Sequence, residues 1–208
     1  MEYLRNPEQI YAQSFATIKK EAQLERFTAD EQDVAIRLIH ACGMVDIAPD
    51  LVFSNNAVAI GRAALQVGAP IICDVRMVTK GVIKRYLNAK NQVLCALGEQ
   101  GASDYASQFA TTRSAGGIEM LKDRMEGSIV AIGNAPTALF HLLERIEQGF
   151  PAPALVLGFP VGFVGALESK DELIANAHDL PFIALKGRRG GSALAAAAVN
   201  ALAVGLGT

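Results

Sequence analysis

Apolar and polar positions along the chain follow two alternating periods. From Pro7 to about Glu25 they mix at helical spacing, with Pro7 placed to open a helix. "TADE" then predicts a capping box, in which Thr28 caps the next helix and Glu31 reaches back to it. Val34, Leu38 and Cys42 recur every four residues, as an apolar helix stripe does. Gly43 suits the left-handed position just past that helix. "MVDI" predicts a short strand, and a helix follows from about Asn56 to Val67, ending at Gly68.

Beyond it, "APIICDV", "QVLCAL", "SIVAIG", "PALVLGFP" and "PFIAL" are short apolar runs bounded by turn residues, as buried strands are. Helical patterns separate them. One starts near Ser103 and runs on through "RSAGGIEMLKDRM", with a break predicted at Gly116-Gly117. Another is opened by Pro136, and "SKDELIANA" is expected to be capped by Ser169. The Ala-rich segment after "KGRRGG" predicts the last helix, packed rather than membrane-spanning. Strands alternating with helices predict an α/β fold with a mainly parallel sheet covered by helices on both faces. No linker or repeat divides the chain, so residues 1–208 are expected to form a single domain.

Composition narrows the picture. The 208 residues are 51% hydrophobic and 19% charged, enough for a real core. Nineteen basic and 21 acidic residues give a net charge of -2, which predicts no general surface for nucleic acid. Cys42, Cys73 and Cys95 are widely spaced within apolar runs and read as free thiols, without zinc-ligand spacing. The polar N-terminus and the odd cysteine count point to the cytoplasm.

In open α/β sheets, ligands bind beyond the carboxyl ends of the strands. That rule selects "DVRMVTKG", "GEQGASD", "GNAPT", "GFPVGF" and "KGRRGGS". They are rich in small residues and carry Arg76, Lys80, Lys186, Arg188 and Arg189, a composition suited to carboxylates or phosphates. The chain has no Walker loop, no GxGxxG after its first strand, no GxSxG elbow and no HExxH. Of the three histidines, His141 falls mid-helix and reads as structural, and His178 is expected to be exposed. His40 falls in the last turn of its helix, where the dipole favours a positive charge. Spacing alone leaves both a core imidazole and a proton carrier open.

Longer motifs resolve that choice. "YAQSFATI", "LIHACGMVD", "DVRMVTKG", "TTRSAGGIE", "AIGNAPTALFHLLE", "LVLGFPVGFVGALESKDEL" and "GRRGGSALAAAAVNAL" resemble, in order and over nearly the whole length, the precorrin-8X methylmutase (precorrin isomerase) family, with its cobalt-precorrin-8 branch. The resemblance implies an isomerase of cobalamin biosynthesis that moves a methyl group from C-11 to C-12 of a corrin-type macrocycle. The product is hydrogenobyrinic acid, or cobyrinic acid from the cobalt-containing substrate. No cofactor and no metal are implied.

The resemblance makes His40 the catalytic proton donor and places Ser14, Thr79 and Arg113 at the substrate. Charge and loop position add Arg76, Lys80 and Arg188. A flat apolar ring with carboxylate arms calls for an apolar slot with cations gathered at its rim and acids elsewhere. A homodimer with a shared site is expected, since the ring exceeds the mouth of one subunit, and "GFPVGF" is a candidate contact. The product is expected to be held tightly, with no membrane partner. The alternative from another class is a tetrapyrrole carrier that does no chemistry.

Overall fold

The computed structural model describes residues 1, 3–88, 90–175 and 180–206, so His178 lies outside the described residues. Helix α1 is Pro7–Glu21, capped by the Asn6 side chain. Helix α2, Ala29–Cys42, carries the complete Thr28/Glu31 capping box and stops at Gly43, whose φ is 71°. Both ends match the sequence reading because both signals are local.

"MVDI" is not a strand. Val45–Asp50 forms a 3₁₀ helix, and strand β1 follows at Leu51–Phe53. Side chains from elsewhere impose this. Arg26 Nη2 donates to the carbonyls of Ala48, Pro49 and Leu51, and Arg189 grips Asp46 and Asp50.

Helix α3 is Ala57–Gln66, strand β2 is Ile71–Cys73, helix α4 is Arg76–Gly81 and strand β3 is Val93–Leu94. Helices α5, Gln100–Gln108, and α6, Arg113–Met120, replace the single predicted helix. The break falls between them, where Ala110 takes a φ of 48°. Gly116 and Gly117 lie buried inside α6, contrary to expectation. A Cβ on Gly116 would stand 2.1 Å from the Ala102 carbonyl oxygen, so that glycine lets two helices touch backbone to backbone.

Strand β4 is Ile129–Ile132, helix α7 Pro136–Glu147, strand β5 Leu155–Gly158 and helix α8 Ala166–Ala175. Ser169 does not cap α8. It lies buried within the helix, its hydroxyl donating to the Ala166 carbonyl. Strand β6, Phe182–Leu185, and helix α9, Ser192–Ala203, complete the chain.

Among the described residues the strands form one sheet in the order β1-β6-β5-β4-β2-β3, parallel throughout except that β1 runs antiparallel to β6. Alternation divides the core. Ile129, Ala131, Leu155, Leu157, Ile183 and Leu185 face α2, α3 and α9, while Val130, Ile132, Val156 and Ala184 face α7 and α8. Helix α9 is buried on nearly every side, as its Ala-rich sequence permits. No helix among the described residues is long and apolar enough to cross a membrane.

Candidate active site

The antiparallel turn of β1 decides where His40 ends up. Leu51 pairs with Leu185, so the start of β1 lies at the carboxyl edge of the parallel strands. The chain reaches that point directly from the end of α2. His40 is therefore delivered to the edge where the loops after β2, β4, β5 and β6 converge.

Its immediate surroundings come from α1. Tyr11, Ser14, Phe15 and Ile18 stand at i, i+3, i+4 and i+7, one face of a helix laid along α2. The Tyr11 ring centroid lies 5.1 Å from that of His40, and the Phe15 ring meets it edge-on at 5.5 Å. Arg37, one turn before His40, lies over the Phe15 ring at 5.4 Å. Ser14 Oγ and His40 Nδ1 share a hydrogen bond of 2.8 Å. A hydroxyl both donates and accepts, so Ser14 suits either protonation state of the ring. Nε2 makes no hydrogen bond among the described residues, and the side chain is exposed.

Ser14 and His40 border a cleft of about 590 Å³ lined also by Leu4, Ile10, Ile18 and Val45, among others. That volume lies within the usual range for ligand sites, about 300–1,000 Å³. The expected ring of cations is not in it: among the described residues the lining holds one acid, Glu21, and no lysine or arginine. The cleft opens between α1 and α2, and the loop cations lie outside its lining.

Each of those residues has a definite place. Arg76, Thr79 and Lys80 lie on α4. The Thr79 hydroxyl donates to the Arg76 carbonyl at 2.7 Å, and the Arg76 guanidinium lies across Gly98, where a Cβ would clash with it. Asn200 of α9 holds the far end of α4, accepting from Ile83 N and donating to the Gly81 carbonyl. Arg113 is the first residue of α6, and the neighbouring Thr112 hydroxyl meets that of Thr137 in the first turn of α7 at 2.8 Å. Arg188 is exposed in the loop after β6, 5.5 Å over the Phe163 ring. One chain thus joins Ser14 to His40 and leaves Thr79, Arg76, Lys80, Arg113 and Arg188 outside their cleft.

Sequence reasoning missed several residues. Tyr11 and Phe15 carried a usable signal, their helical spacing about Ser14. Asp74, 2% exposed, accepts the backbone N–H groups of Gly133, Asn134 and Ala135 at 2.7–2.9 Å. Burial raises its carboxyl above the ordinary range, and those N–H groups pull it partly back. Lys170, fully buried in α8, donates to the carbonyls of Pro160 and Arg189, and burial lowers its ammonium to about 8. Burial also pushes the thiols of Cys42, Cys73 and Cys95 up, away from thiolate chemistry.

Comparison with known proteins shows the family. The family profile for precorrin-8X methylmutase matches residues 9–204. The chain is 55% identical over 203 residues to the precorrin-8X methylmutase of Pseudomonas aeruginosa, covering 98% of each. It is 50% identical to that of a Sinorhizobium species, covering 97% of this chain and 96% of the relative. The cobalt-precorrin-8 methylmutase of Priestia megaterium is 35% identical, covering 95% and 88%. Among solved structures, the precorrin-8X methyl mutase of Thermus thermophilus superposes with a TM-score of 0.85 at 39% identity, over 94% of each chain. The chain belongs to the precorrin-8X methylmutase family and is an isomerase of cobalamin biosynthesis.

Proposed function

We propose that this protein converts precorrin-8X into hydrogenobyrinic acid by moving the methyl group from C-11 to C-12, with His40 as proton donor. The observation that carries the reading is the Ser14–His40 hydrogen bond at the mouth of an apolar cleft. With Nδ1–H donated to Ser14, the protonated ring presents its Nε2 proton outward, toward a macrocycle seated on Leu4, Ile10 and Val45. Protonation there draws electron density through the conjugated ring as the methyl group migrates, and the rearranged macrocycle then gives a proton back to Nε2, so the isomerisation balances and His40 is regenerated. No external group donor is needed.

The metal-free substrate is favoured because relatives at 55% and 50% identity are named for precorrin-8X, whereas that of Priestia megaterium, named for cobalt-precorrin-8, stands at 35%. A non-catalytic carrier is not favoured, since relatives matching the whole chain are named as methylmutases.

The working form is a cytoplasmic homodimer that holds its product tightly. The cleft of one subunit supplies His40 and Ser14, and Arg76, Thr79, Lys80, Arg113 and Arg188 supply the carboxylate-binding rim of a site shared between subunits. Phe163 and Val164, 84% and 89% exposed in the loop after β5, are the apolar contact such a dimer buries.

The test is turnover of precorrin-8X followed by absorbance. The wild type forms hydrogenobyrinic acid, and His40→Ala loses about a hundredfold or more of the rate. Turnover by His40→Ala at the wild-type rate overturns the proton-donor assignment. Retained pigment without turnover in either protein favours the carrier.

A further inference from the structure

The loops after β5 and β6 are locked together by residues outside the His40 cleft lining. A Cβ on Gly190 would stand 2.4 Å from the carbonyl oxygens of both Phe159 and Pro160, so the two loops touch through bare backbone. Gly191 N donates to the Phe159 carbonyl at 2.8 Å and Gly162 N to the Arg188 carbonyl at 3.2 Å. Beneath this contact lies the Lys170 ammonium, donating to Pro160 O at 3.1 Å and Arg189 O at 2.7 Å. Lys170 makes no ion pair among the described residues. A buried charge solvated by main-chain carbonyls is a costly way to fill space, and its effect is to fix where those carbonyls stand.

Arg189 carries that fixed point onward. Its main chain is held by Lys170, while its guanidinium donates to Asp46 Oδ2 at 2.6 Å, Asp46 O at 3.2 Å and Asp50 Oδ2 at 2.8 Å. All three acceptors belong to the 3₁₀ helix Val45–Asp50, which begins two residues after Gly43. Val45, its first residue, lines the same cleft as His40. A forked guanidinium on three acceptors sets orientation as well as distance.

We infer that Lys170 and Arg189 form a strut that positions the His40 end of α2, making both of them positioning residues for the methyl shift. Lys170 fixes the Arg189 backbone, Arg189 fixes Asp46 and Asp50, and these fix the turn that stops the helix. The strut also places Arg188, the residue before Arg189, on the same frame as His40. This inference rests on the proposed role of His40.

Links in series have a recognisable signature. Lys170→Met and Arg189→Gln each lower kcat about tenfold or more, and the double variant falls no further than the worse single. Independent structural damage would instead multiply, giving about a hundredfold or more in the double variant, and that result overturns the inference. A second arm needs no substrate. The ring ¹H–¹³C signal of His40 shifts in both single variants and in the double, while that of His141 stays in place. An unmoved His40 signal overturns the strut, whatever the turnover. A moved signal in a protein that does not convert precorrin-8X upholds the strut and removes the proposed reaction. Where Lys170→Met fails to fold, Arg189→Gln and Asp46→Asn are compared in the same two ways, since they break the strut at its exposed end.

Discussion

The Asp74 carboxylate accepts the backbone N–H of Ala135 at 2.7 Å, across the gap between β2 and β4. The sheet connections diverge at that gap, with β2 leading to β3 on one side and β4 to β5 on the other. Open α/β sheets commonly take their ligands there. In this protein the Asp74 carboxylate stands at that position and ties β2 to the loop after β4, while the cleft beside His40 opens between α1 and α2. Asp74→Ala leaves three inward N–H groups without that acceptor and costs about 3 kcal/mol or more. Asp74→Asn recovers only part of that loss, as urea unfolding will measure.

Gly116 and Gly117 separate close packing from mere helix weakening. Gly116→Ala drives a methyl group into the Ala102 carbonyl and is expected to cost about 3 kcal/mol or more. At Gly117 the nearest atom to an added Cβ is 3.4 Å away, so Gly117→Ala stays within about 1 kcal/mol of wild type. Equal effects in thermal unfolding would contradict the contact.

Glu119 is buried between His141 Nε2 at 2.9 Å and the Arg145 guanidinium at 3.0 and 3.1 Å. Glu119→Ala strands both partners and destabilises by about 3–5 kcal/mol. Denaturant titration reads the loss directly. Glu119→Gln, which keeps an acceptor, loses less.

Lys170 gives the fold a signed dependence on pH. Unfolded, its ammonium keeps the proton to about 10.4; folded, it gives it up at about 8. Between those values the unfolded chain binds more protons, so this group makes stability rise with pH. Wild type should gain about 1–2 kcal/mol over Lys170→Met between pH 7.5 and 9.5 in paired unfolding curves.

Ser14→Ala removes the partner of His40 Nδ1 and leaves Tyr11 and Phe15 to hold the ring by stacking. Turnover should fall about tenfold with KM within about twofold of wild type. A change confined to KM would mean that Ser14 serves substrate affinity alone.

What could be read from the chain was whatever its neighbours in sequence determine. Thr28, Glu31, Gly43, Pro7 and Pro136 mark helix ends by contacts within a few residues, and all sit where they were expected. The unbroken apolar runs of β4, β5 and β6 likewise pointed to a sheet buried on both faces. The misreadings share a cause in distance. "MVDI" has strand character, and only Arg189, 143 residues from Asp46, and Arg26 hold it as a 3₁₀ helix. Gly116 looked like a helix breaker because nothing nearby shows that Ala102 presses on it. Lys170 in "SKDEL" has the look of a solvated helix face, yet it lies under two loops from elsewhere in the chain. Ser14 and His40, 26 residues apart, were both named, but their contact belongs to the packing of α1 on α2.

The reversed direction of β1 has an electrostatic consequence. Helices α7, α8 and α9 follow parallel strands and present their amino ends, with partial positive charge, at the carboxyl edge of the sheet. Helix α2 precedes a strand that runs the other way, so its carboxyl end, with partial negative charge, arrives at the same edge. One rim therefore carries fields of both signs within a single fold. On the proposed reading, the carboxylate arms of the substrate meet the positive stretch of that rim and His40 stands on the negative one.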